Sequence, residues 1–263
     1  MAKSTENGSV EIERLPDDVA RAVAALADRA RRVNGPMMRL LNRFGNRAEQ
    51  WMSSLPAPLR AGFDEMARGL LISLYRGADT AGKNLPSVGE NGHKFAAALS
   101  GAAGGAAGLA SATVELPATV MVMFAAMQRA AKEAGYDPSS DMVRLACLDI
   151  FGAGAPGPGD DGINSTFLGS RLWLNSATLQ SVVARVLPAF SAMLGRQLAG
   201  KAVPIIGAVA GAGINYSFTE YYQEVARVRF GLMRLMEDHG QERIHQAFRA
   251  ELARNAGQTP PAR

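Results

Sequence analysis

Residues that could do chemistry are few in this chain, and most of the patterns they form break at a required position. Gly195, Gly200 and Lys201 satisfy the first part of a phosphate-cradling P-loop, but Ala202 stands where a Mg²⁺-binding hydroxyl is needed. The residues before it also read as helix, whereas a P-loop follows a strand. Gly152, Gly154 and Gly157 spell the dinucleotide fingerprint, yet no strand precedes them, and Pro156 and Pro158 oppose a following helix. That run reads as a loop. His93, His239 and His245 are scattered, and the last two, six apart, face opposite sides of a helix rather than one metal-binding face. Ser170 follows a glycine but lacks the rest of a nucleophile elbow.

Three further groups have a chemical and a structural reading. Cys147, in the run RLACLDIF, falls at a core-facing position and reads as a buried structural thiol rather than a nucleophile. Glu220 and Glu224 stand one helical turn apart beside Tyr221 and Tyr222, so they offer a carboxylate pair or, more simply, a solvated helix face. Glu115 is the only charge between Lys94 and Arg129. It either sits at an exposed turn or pairs with Lys201, which precedes the second uncharged stretch. No catalytic, cofactor-binding or metal-binding residue is nominated on these patterns, and the chain reads as a non-enzyme.

The elements that must position these residues are helical. Alternating β-branched strands are absent, and Ala, Leu, Met and Arg recur at helical spacing, so the fold class is all-α. Residues 1–14 read as a polar leader without a secretory signal, and 255–263 as a disordered tail. Between them we expect an N-terminal helical extension over 15–92 and a helical domain over 93–254. A first helix starts at Pro16, carries Asp17 and Asp18 in its opening turn, and ends at Asn34-Gly35-Pro36. A second places Met37, Leu41, Phe44, Ala48 and Trp51 on one face and Arg39, Arg43 and Arg47 on another. A third covers 59–76, followed by a loop from Gly77 to Gly92.

The centre differs in composition. Residues 95–114 are almost wholly Ala, Gly and Ser, and LPATVMVMFAAM after them is strongly apolar. Pro117 is expected to start a new helix, giving a hairpin whose tip carries Ser111, Thr113 and Glu115. Gly135 fits a left-handed C-terminal cap, and Asp137 with Pro138 fits the start of the next helix. Helices then resume near Ser165 with interruptions at Pro188 and Pro204. A second glycine-rich, uncharged stretch spans Ala202 to Thr219 and leads into a helix closed by Gly240. A last amphipathic helix sets Ile244, Phe248 and Leu252 four apart.

Neither stretch is a strong spanning segment. Residues 95–114 have the required length of about 20 residues. Their four large apolar side chains are worth only about −1 to −2.5 kcal/mol together on an insertion scale. Small residues at Gly101, Gly104, Gly108, Gly207 and Gly211 instead allow close helix–helix approach.

The glycine-rich helix leading into Glu115-Leu116-Pro117, the segment Gly135-Tyr136-Asp137-Pro138, and Lys201-x-x-Pro204-x-x-Gly207-x-x-x-Gly211 with Asn215, Phe218 and Thr219 resemble the EcsC family. The resemblance covers about residues 95–236 and rests on glycine and proline spacing. One departure is Glu115, where the family pattern has an aspartate. The resemblance implies a bacterial protein working in the cytoplasm or at the inner membrane beside a transporter, with no established activity.

Composition points the same way. The net charge is +4, and six arginines crowd between Arg29 and Arg47. Without interleaved aromatics or zinc-finger spacing, that cluster suits anionic lipid better than nucleic acid. The reading is therefore a non-enzymatic, peripherally membrane-associated helical protein, accessory to a transport or envelope process, with membrane transporter components as candidate partners. Rival readings are a pore-forming or membrane-disrupting protein, a hydrolase with an unrecognised site, and a simple helical interaction module.

Overall fold

The computed structural model describes residues 15–33, 57–84, 109–152, 177–201 and 207–256, and every element among them is α-helical. In chain order these are α1 (Asp17–Val33), α2 (Ala57–Asn84), α3 (Leu109–Glu133), α4 (Asp141–Gly152), α5 (Leu179–Lys201), α6 (Gly207–His239) and α7 (Gln241–Ala256).

α1 forms where its sequence places it. Pro16 offers the carbonyl that accepts from Ala20 N at 2.9 Å. Asp17 and Asp18 then meet the positive end of the helix dipole, and Arg31 and Arg32 meet the negative end. Val19, Val23, Ala27, Ala30 and Val33 recur at three- and four-residue spacing and are all buried.

α3 ends as expected. Gly135 has φ +86°, and its backbone completes a Schellman cap, with Tyr136 N donating to Ala131 O at 3.0 Å and Gly135 N to Lys132 O at 3.0 Å. Gly240 (φ +91°) closes α6 in the same left-handed conformation, as the sequence indicates.

Four expectations are corrected. The helix after Pro58 does not stop at 76; α2 continues through Gly77 to Asn84. Residues 111–115 are not a hairpin tip, because α3 runs unbroken from Leu109 through Pro117. A proline inside a helix costs about 3 kcal/mol or more. Burial of Leu116 just before it and of Val120, Met123, Phe124 and Met127 after it offsets that cost. Likewise, α5 is not interrupted at Pro188. Pro188 and Ala184 are exposed, so water can satisfy the carbonyl that the missing N–H leaves free. Finally, Asp137 does not cap α4. It accepts from Ser139 N at 2.9 Å within a turn, and Ser140 Oγ accepts from Val143 N as the cap. The glycine-rich arm 93–108, the helix expected over 37–51 and the region around Ser165 lie outside the described residues.

α6 is the central element and packs against α1, α3, α4, α5 and α7. One side of it joins α2–α5 in the main core, where Phe151 meets Phe190 and Tyr222 edge-on at 5.1 and 5.0 Å. Val228, Leu232 and Met236 on its other side form a second cluster with α1 and α7.

Candidate functional site

Two kinds of polar group enter the helix packing: a buried ion cluster and a seam between α3 and α6. Asp149, on α4, is buried among apolar neighbours from Leu145 to Phe151. One carboxylate oxygen accepts from Arg229 of α6 at 2.6 Å, and the other pairs with Arg185 of α5. The Arg229 side chain is 4% exposed and that of Arg185 is 42%. Burial lowers the Arg229 pKa to about 10, with the Cys147 thiol acting weakly against the shift. It therefore stays charged at neutral pH. Arg185 is also lowered, first by burial and then by the like charge of Arg229. Cys147, fully buried nearby, has its thiol pushed far up by burial despite Arg229. Its burial matches the core-facing position that the sequence reading gives it.

α3 and α6 run parallel. Asn215 Nδ2 donates to Thr119 Oγ1 at 3.2 Å near their N-terminal halves, and Arg227 Nε meets Glu133 at 3.1 Å towards the opposite end. Thr219 Oγ1 returns to the Asn215 carbonyl at 2.8 Å, satisfying its hydroxyl within the helix. Gln223, on the same side of α6, is fully buried with neither amide atom bonded.

At the Glu133 end, charges form a chain across three helices. Arg129 and Arg227 both hold Glu133, Arg227 also holds Glu224 at 2.6 Å, and Glu224 accepts from Arg29 of α1. Partial burial pushes the Glu133 pKa up as the largest single influence. The hydrogen bonds and charges of Arg227 and Arg129 together outweigh it and hold the carboxyl below its usual value. Arg227 is correspondingly raised, its two carboxylate partners overcoming its own burial. Glu224 is thus an ion-chain member, and Glu220 is exposed on another part of the helix.

The other end of the pair is different in kind. Glu115 is the only charged residue between Leu109 and Gln128, and Gly207 to Thr219 contains none. Parallel packing sets these two halves side by side. Met121 on α3 and Tyr216 on α6 are 46% and 38% exposed there.

The sequence-nominated residues distribute as follows. Glu115 and Pro117 lie within α3, Gly135 caps it, and Asp137 heads the turn before α4. Lys201 is the last residue of α5; Gly207 begins α6, and Gly211 and Asn215 follow within it. Among the described side chains, that of Asn215 is held by Thr119 of α3. Pro204, Arg39, Arg43 and Arg47 lie outside the described residues, as do the side chains of Glu115 and Lys201 and hence their expected pairing. The Asp149 cluster was missed, although a carboxylate inside an apolar helical run signals a partner from another helix.

Among the described residues, no group of His, Cys, Asp and Glu could hold a metal ion, and no helix is long and apolar enough to cross a membrane. The model of one family, described as the EcsC protein family, matches residues 82–235. No curated protein and no solved structure matches the chain.

Proposed function

We propose that this chain, which belongs to the EcsC family, is a non-enzymatic accessory protein that lies on an anionic membrane surface and serves a transport or envelope process there. The observation that supports this is the parallel pairing of α3 and α6. It gathers two half-helices whose one charge is Glu115 at one end of the pair, and it gathers the Arg129–Glu133–Arg227–Glu224 ion chain at the other.

A helix pair with one charge in the sequence of one end and an ion chain at the other suits an interface better than bulk water on all sides. Met121 and Tyr216 supply partly exposed side chains of the kind that enter a headgroup layer. Lys201 closes α5 just before α6 begins at Gly207, which places a cation in sequence beside the charge-poor end. The arginines from Arg29 to Arg47 add charge complementarity to anionic lipid, worth about 1 kcal/mol for each one near the surface. On this reading the protein works at the cytoplasmic face of the inner membrane, where transporter components are its candidate partners.

Vesicle binding tests it. The wild type is expected to float with anionic liposomes and to be released by salt. Met121→Glu with Tyr216→Glu, which carry two carboxylates into the charge-poor end, are expected to weaken flotation at least tenfold. Unchanged flotation of a double variant with a wild-type melting curve would remove that end from the function.

A further inference from the structure

Asn215, Thr219, Gln223 and Arg227 recur every four residues along α6 and so share one face of it. Both ends of that stripe touch α3. Asn215 Nδ2 donates to Thr119 Oγ1 at 3.2 Å, and Arg227 Nε meets Glu133 at 3.1 Å. Gln223, one turn before Arg227, therefore faces α3 as well. Between Thr119 and Glu133, helical spacing puts Ala126 and Ala130 on the facing side of α3, and both are buried. Alanine offers an amide no hydrogen bond and takes up little room.

Gln223 is 0% exposed, and neither its Oε1 nor its Nε2 meets a partner in the protein. A glutamine amide can donate two hydrogen bonds and accept two. Burying it with none of them replaced is costly, so leucine or methionine would serve better if packing were its whole role. Thr219, one turn away on the same stripe and also fully buried, has bonding capacity to spare. Its hydroxyl proton goes to the Asn215 carbonyl at 2.8 Å, which leaves Oγ1 able to accept a proton from elsewhere. Arg227, one turn on, is already held by Glu133 and Glu224, so a neutral molecule suits the place better than an ion.

We propose that the α3–α6 seam holds an internal water molecule at Gln223. The water donates to Thr219 Oγ1 and bonds the Gln223 amide, accepting from Nε2 or donating to Oε1 according to which way the amide is turned. Two side-chain partners meet the minimum that holds a buried water, and the alanines opposite suit a molecule of that size. The site stands independently of the membrane reading.

Magnetic relaxation dispersion of water oxygen-17 counts the molecules held inside a tumbling protein. It is applied to wild type, Gln223→Leu and Thr219→Val, with circular dichroism melts to establish which variants fold. The wild type is expected to hold at least one long-lived water, and Gln223→Leu at least one fewer. Thr219→Val keeps the side-chain shape, removes the accepting oxygen, and is expected to lose the same water. A wild type with no long-lived water, or a folded Gln223→Leu with the wild-type count, overturns the site. If Gln223→Leu does not fold, the Thr219→Val count decides: fewer waters support the site and an unchanged count overturns it. A small organic molecule released on unfolding, with no change of water count in either variant, overturns water as the occupant.

Discussion

Replacing Asp149 by asparagine keeps the shape of the side chain and removes its charge, so the Arg229 guanidinium, 4% exposed, loses the carboxylate that it meets at 2.6 Å. Breaking a buried ion pair by removing one partner costs about 3–5 kcal/mol, because the remaining charge is stranded in a poorly solvated site. A domain of this size shifts its melting temperature by about 2–4 °C for each kcal/mol, so Asp149→Asn is expected to lower it by about 6–20 °C. Arg185 is 42% exposed and can turn to water, so Arg185→Gln is expected to cost about 1 kcal/mol or less. The discriminating step is to add Arg229→Met to Asp149→Asn. If stranded charge is the cause, the double variant regains part of the lost stability, since it no longer buries the Arg229 cation without the Asp149 carboxylate. Circular dichroism melts and urea midpoints of these three variants and of Arg229→Met alone measure this. An Asp149→Asn protein within about 0.5 kcal/mol of wild type, or strictly additive losses in the cycle, would refute the reasoning.

Cys147 is expected to resist thiol reagents in the folded protein and to react at a rate that tracks unfolding as urea is added; rapid labelling in buffer alone would contradict its burial. Gly135→Ala meets no neighbouring atom but must adopt φ +86°, so a loss of about 1–2 kcal/mol from backbone strain alone is expected in urea titrations. Because Glu133 is held below its usual carboxyl value, its ion pairs contribute stability that is full above the unfolded value and lost as pH falls through the folded one. Melting temperatures of Glu133→Gln should therefore fall less steeply than wild type through that acidic range, and parallel curves would sink the assignment.

Much of the frame was readable because local signals agreed with tertiary demands. Asp17, Asp18, the valine–alanine stripe and Asn34-Gly35-Pro36 bracket α1; Gly135 and Gly240 mark their caps; Ile244 and Phe248 face the second cluster. The prolines misled because their local cost was weighed without the packing on either side. Pro117 and Pro188 sit within helices whose buried stripes run through them. At Asp137 to Ser140, three polar residues compete for one capping role, and the one that wins is set by where α4 begins. The Asp149 partner was out of reach of periodicity, since Arg229 lies 80 residues away on another helix. Asn215 shows the reverse case: the family-like motif already includes it, and α3 supplies a partner, Thr119.

Flotation of the full chain with neutral and with anionic liposomes, at low and at high salt, tests the central claim most directly. The account predicts flotation on anionic vesicles that salt reverses and little on neutral ones. A protein that stays at the bottom of the gradient under all four conditions would contradict it, and the charge-poor end of α3 and α6 would then belong to ordinary helix packing or to a protein partner.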